Sequence, residues 1–211
     1  MHWFKRKIYP NFYNAYAKSF KLKNNSLKTT RFVVFDTETT GLNLKEDYIL
    51  SIGTVTVQNF SINVADSLEC YLLQNHFNTK TVEIHGILKT GNITKIEEKK
   101  AIKLFLKHIE GAILVAHHVA FDVAMINQAL KRMHLPKLKN KLIDTGQLYQ
   151  KTKYVKDHNH YSLDQLCELF NITKHDRHTA SGDAYLTAVL FLKLSAMLKK
   201  KKNRELRLRD Y

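Results

Sequence analysis

Cysteine is scarce: Cys70 and Cys167 are the only two in 211 residues, and they lie far apart. No CxxC pair exists, which argues against a structural zinc site, and two thiols are too few for a disulfide framework. That pattern is expected of a chain kept in a reducing, cytoplasmic compartment. Glycine and proline number only 7 and 2, so long flexible linkers are not expected and the length suits one compact domain with short appendages. The opening MHWFKRKIYP lacks the apolar core of a signal peptide. The longest mostly apolar run, Ala184 to Leu192, stops at Lys193, short of the roughly 20 residues needed to span a bilayer. No membrane partner is expected.

Acidic residues are outnumbered: 19 Asp and Glu against 34 Lys and Arg give a formal charge of +15. An excess of that size points to a polyanionic partner. The charge is uneven. Residues 1 to 31 contain no acid, and their lysines and arginines alternate with Trp3, Phe4, Tyr9, Phe12, Tyr13, Tyr16 and Phe20. The series Phe4, Ile8, Phe12, Tyr16, Phe20 steps by four, which suits one side of a helix interrupted or restarted at Pro10. Two uses fit this segment: aromatic packing against the domain, or phosphate contact and base stacking on single-stranded nucleic acid. The far end, Lys199 to Tyr211, is basic again and reads as a frayed tail able to touch nucleic acid or a partner.

Between these ends the pattern alternates between strands and helices. Strands are expected at Arg31–Phe35, Tyr48–Val57, Phe60–Leu73, Ala112–Ala116 and Leu142–Asp144. Helices are expected at Thr94–Ile109, Phe121–Leu135, Ser162–Phe170 (with Ser162 as N-cap and Gln165 three residues on) and Ala180–Lys202. Such an order fits a mixed α/β sheet flanked by helices. The expected division is an appendage at 1–30, a domain at 31–198 and a tail at 199–211.

Three segments carry the chemistry. Asp36 and Glu38 follow an apolar strand in FDTETTGL, and residues two apart on a strand share a side. Two carboxylates side by side repel unless a hard cation joins them. Asp122 closes AHHVAFD at the start of a helix, and His178 and Asp183 lie five apart in RHTASGDA. Each acid alone is more simply a helix-dipole partner or a solvated strand end. In order and together, the three segments resemble the DEDDh exonucleases, the family of the proofreading subunit of bacterial replicative DNA polymerase and of ribonuclease T. Ile84-His85-Gly86-Ile87 and Asp144-Thr145 resemble further family segments.

That resemblance implies a ribonuclease-H-like fold, with a five-stranded sheet whose second strand runs antiparallel to its neighbours. It implies 3′→5′ removal of nucleoside 5′-monophosphates with two divalent cations, Mg²⁺ or Mn²⁺. Asp36, Glu38, Asp122 and Asp183 would hold the cations and His178 would be the general base. Thr37, Thr39, Thr40, Gly41, Leu42, His85 and Phe121 become candidates for the terminal-nucleotide pocket, Phe121 being equally a core candidate. His118 stands where the family commonly has Asn, which puts the local hydrogen bonding in question. The expected partner is nucleic acid with a free 3′ end, single-stranded or frayed DNA first and RNA as the alternative. A DNA polymerase or another protein acting in trans is the protein partner left open. A nucleic-acid-binding domain without catalysis is the reading from another class.

Overall fold

The computed structural model describes residues 8–21, 26–76, 78–89, 92–152 and 160–211. Trp3, Phe4, the first three basic residues and the loop around His158 lie outside them. The sheet has strands β1 (Arg31–Thr39), β2 (Ile49–Gln58), β3 (Ser61–Leu73), β4 (Lys95–Glu97), β5 (Ile113–Ala116) and β6 (Leu142–Asp144). Their order across the sheet is β4-β3-β2-β1-β5-β6. β2 is antiparallel to β1 and β3, while β1–β5, β5–β6 and β3–β4 are parallel pairs. The ribonuclease-H-like architecture is therefore present, with six strands in place of the expected five. The extra one, β4, occupies the first residues of the segment expected to be helical from Thr94.

The helices are α1 (Asn11–Lys18), α2 (Thr79–His85), α3 (Glu98–His108), α4 (Val119–Arg132), α5 (Thr145–Gln150), α6 (Leu163–Leu169) and α7 (Ala180–Lys202). Ser162 caps α6 in a full capping box with Gln165. β1 is buried on both faces, as expected of a strand covered on each side by helices. Val33 and Phe35 enter one core with residues of α1, α3 and α4. Phe32 and Val34 enter the other with residues of α5, α6 and α7. α7 is long and apolar enough to cross a membrane by composition alone. Its Leu186, Leu190, Phe191 and Leu194 are buried in the second core instead.

The described parts of both basic ends fold onto this frame. Tyr13 and Tyr16 of α1 are buried in the first core. Tyr16 donates its hydroxyl to Asn140 Oδ1 (2.6 Å) and accepts the Lys139 N–H (2.8 Å). These two rings pack on the domain and have no face free for a base. Residues 203–211 do not fray either. Arg204 forks onto Asp210 (2.8 and 2.9 Å), and the Tyr211 ring lies against Phe32 and Phe191.

Candidate active site

The site begins where β1 loses a neighbour. The parallel pairing with β5 covers only Phe32, Val33 and Val34, while pairing with β2 continues to Thr39. β1 is thus a central strand whose C-terminal half opens toward a cleft on the β5 side. The pleat alternates side chains. Asp36 and Glu38 continue the set of Phe32 and Val34, which faces α7. Thr37 continues the set of Val33 and Phe35, which faces α4.

On the α4 side, Asp122 fills the gap. One carboxylate oxygen, Oδ1, accepts the Thr37 N–H (3.0 Å) and the Thr37 hydroxyl (2.6 Å). α4 starts beside it at His118, whose φ of 58° is left-handed. His118 makes no side-chain cap. Asp144 Oδ2 accepts the Val119 N–H instead (2.9 Å), and Asp144 Oδ1 accepts the Gln147 N–H (3.1 Å). One aspartate therefore caps α4 and α5 together, so the His at 118 leaves the helix start bonded.

On the α7 side, Gly53 makes the approach possible. It pairs with Asp36 across β1–β2. A Cβ added at Gly53 would lie 2.2 Å from Ala180 C and from Ser181 N. Only a residue with no side chain lets the first turn of α7 lie on the sheet there. Thr179 caps that turn by accepting the Gly182 N–H (3.1 Å). Asp183 then sits buried in the first turn. Ligand oxygens of Asp36, Glu38 and Asp183 lie within 4.8 Å of one another.

Carboxylates this close repel, and the effect falls on Asp36 and Glu38. Burial, then Asp122, Asp183 and Glu38, hold Asp36 well above the usual carboxylate range. Burial and then Asp183 and Asp122 push Glu38 up to about 7. Asp122 is also raised to about 7, chiefly by burial, against the two Thr37 hydrogen bonds that pull it down. Arg177 is the cation that opposes the rise at Asp36 and Glu38. Asp183 Oδ1 is buried with no hydrogen-bond partner among the described residues. An all-oxygen donor set with an orphaned buried oxygen suits a hard divalent cation.

His178 lies in the turn before α7, exposed, with a left-handed φ of 62°. The neighbouring candidates divide by how their polar groups are used. Thr39 donates to the Gly41 carbonyl (2.8 Å) and Thr40 to Asp47 Oδ1 (2.6 Å). With Thr37 bound to Asp122, all three hydroxyls are engaged within the chain. Leu42 is 83% exposed, an apolar side chain facing water just past the end of β1. His85 is buried at the end of α2, its Nδ1 accepting the Ile87 N–H (3.0 Å) and its Nε2 without a partner among the described residues. Phe121 packs against the first core. Sequence reasoning gave no role to Gly53, which acts through backbone approach, nor to Arg177, although it opens the segment RHTASGDA.

A family model described as an exonuclease, that of the ribonuclease T family, matches residues 33–191. The chain belongs to this exonuclease family. The matched span contains every residue of the carboxylate cluster. Among curated relatives of the exonuclease, the DNA polymerase III PolC-type of Caldanaerobacter subterraneus subsp. tengcongensis is 36% identical over 168 residues. That alignment covers 77% of this chain and 11% of the relative, so the exonuclease spans a small part of such proteins. The DNA polymerase III subunit epsilon of Treponema pallidum is 31% identical over 165 residues, 78% of this chain and 76% of the relative. Among solved structures, E. coli exonuclease I in complex with a dT13 oligonucleotide has a TM-score of 0.70 at 13% identity, over 83% of this chain and 43% of that one. Exonuclease X in complex with 5′ overhanging duplex DNA has a TM-score of 0.60 at 23% identity, over 78% and 91%. These two share the fold.

Proposed function

We propose that this chain is a 3′→5′ exonuclease that hydrolyses the terminal phosphodiester of DNA and releases nucleoside 5′-monophosphates. The observation that supports it most is the convergence of Asp36, Glu38 and Asp183 oxygens within 4.8 Å, beside the Thr37-bound Asp122. No structural purpose explains such a cluster, because it costs stability in the absence of a cation. Asp36, Glu38 and Asp183 would hold one divalent cation, and Asp36 with Asp122 a second, Mg²⁺ or Mn²⁺. When bound, the pair supplies Lewis acidity to the attacking water and charge for the leaving 3′ oxygen.

The chain's own groups do the rest. His178, exposed before α7, takes the proton of the attacking water at a ring nitrogen. The Thr39–Gly41 hydrogen bond holds the turn after β1, so that backbone groups there meet the terminal sugar. Leu42 projects from that turn and wedges against the last bases. His85 offers its unpartnered Nε2 proton as a further donor. Residues 31–198 form the catalytic unit, with 1–30 and 199–211 as basic additions.

DNA is preferred as substrate because relatives of the exonuclease are named as DNA polymerase III components. The same names support action in the cytoplasm, with a polymerase or another protein as partner in trans. RNA of the same polarity is the alternative, decided at the terminal 2′ position. The test gives the purified chain 5′-labelled DNA and RNA of one sequence with Mg²⁺ or Mn²⁺. A ladder shortening from the 3′ end, on DNA faster than on RNA, is expected. Release from neither strand at saturating metal would leave only a binding domain.

A further inference from the structure

Arg177 reaches the carboxylate cluster from outside the sheet. Its Nε donates to Asp164 Oδ1 (2.9 Å) and its Nη2 to Asp164 Oδ2 (2.7 Å), a bidentate fork onto the first turn of α6. Its remaining arm, Nη1, ion-pairs with Asp183 Oδ2. The side chain is 18% exposed, against 38% for Asp164 and 10% for Asp183. A planar guanidinium pinned by two bonds on one side has a fixed third direction. Asp183 therefore has one oxygen engaged and one, Oδ1, buried and unpartnered.

We propose that Arg177 is a positioning residue for Asp183, binding Oδ2 so that Oδ1 is the oxygen left for a divalent cation. The inference rests on the metal-dependent reading above. A rival role exists: a positive charge beside a cation site can simply fill it, to be expelled when metal arrives. The fork argues for positioning. A stand-in cation is expected to be free to leave, whereas Arg177 is anchored to α6 by Asp164 and largely buried. The two roles make opposite predictions about affinity. A positioning group strengthens metal binding, because an oriented ligand loses less freedom on coordination. A competitor weakens it.

The experiment measures Mn²⁺ binding by calorimetry in the full chain without nucleic acid, with circular dichroism to report the fold. Arg177→Met and Arg177→Lys are each expected to weaken Mn²⁺ affinity by about 10–100-fold, the usual effect of removing a group that orients a ligand. The lysine keeps the charge but cannot fork. Asp164→Asn releases the anchor from the far side and touches no cluster carboxylate. It is expected to weaken binding in the same direction, and it carries the test if the Arg177 variants fail to fold. Affinity unchanged or tightened in the folded variants would overturn the proposal. A wild-type chain that binds no Mn²⁺ would remove the nuclease reading as well. Wild-type binding and cleavage with unaffected variants would remove the role of Arg177 alone.

Discussion

Gly53 lies against the peptide that joins Ala180 to Ser181, so closely that a Cβ there would be 2.2 Å from Ala180 C. The same residue is the β2 partner of Asp36. One glycine therefore sets both the spacing of α7 above the sheet and the reach of Asp183 to Asp36. Gly53→Ala is expected to push the first turn of α7 outward. Overpacking of this kind typically costs about 1–3 kcal/mol, and each kcal/mol lowers Tm by about 2–4 °C in a chain of this size. Catalysis should fall far more than stability, because a displacement of about 1 Å at a reacting centre can cost about 10²-fold. Thermal melts and single-turnover cleavage on the same samples check this. Wild-type turnover in the alanine variant would show that the α7 approach does not govern the site.

Asp36 is buried among like charges and held well above the usual carboxylate range. Without metal, its ionised form opposes folding. Asp36→Asn removes that charge at nearly constant volume. The metal-free variant is expected to be more stable than the wild type, by about 0.5–2 kcal/mol, as is common when a strained functional group is neutralised. It should also lose cleavage and the rise in Tm expected of the wild type with Mg²⁺. Asp36→Ala should likewise abolish cleavage while nucleic-acid binding is largely kept. Melts with and without Mg²⁺ decide the point, and retained cleavage at saturating metal would contradict the assignment of this residue.

The cleft is legible in the sequence where chemistry and periodicity coincide. Asp36 and Glu38 follow a run whose alternation, Phe32 and Val34 against Val33 and Phe35, also fixes which core each face enters. Ser162 and Gln165 announce the start of α6 because capping is a local contact. β4 is not legible. Lys95-Ile96-Glu97 has two charged residues in three, and it is a strand only because β3 offers Tyr71 to Leu73 as partners. α5 is six residues long, too short for a helical period to emerge. Gly53 meets a peptide distant in the sequence, and Arg177 joins Asp164 to Asp183 through side-chain contacts that have no period, so only the folded chain reveals what they hold.

His178 is exposed at the entry to α7 and is the imidazole beside the cluster in sequence, adjacent to Arg177. As the proposed general base on the attacking water, it should affect the chemical step. His178→Ala is expected to lower kcat by about 10²–10⁴-fold, the range for loss of a general base. KM should remain within a few-fold. Steady-state kinetics on a short single strand measures both. A change carried mainly by KM would recast His178 as a binding residue.

His117 gives a pH dependence that is independent of the carboxylates. Its Nε2 lies 2.9 Å from the Tyr161 carbonyl and must carry the proton, while Nδ1 accepts from the Thr145 hydroxyl at 2.9 Å. Burial, and then the charge of the neighbouring His118, lower its pKa from 6.5 to about 4. Asp144 opposes that shift and Arg177 adds to it, while the bond to Tyr161 also raises it. Between those two values the unfolded chain binds a proton that the folded chain refuses, so stability falls as pH drops. The loss begins near 6.5 and is complete near 4. Above 6.5 both states are neutral and this contribution is constant. Asp36, Glu38 and Asp122 bias metal-free protein the opposite way, since their raised values disfavour folding as pH rises. The comparison that isolates His117 is the difference between wild type and His117→Asn, followed by urea denaturation from pH 4 to 8. That difference should narrow steadily as the pH falls from 6.5 to 4. A difference that stays flat across this window would mean that His117 is protonated in the folded chain and that the Tyr161 bond does not fix its neutral form.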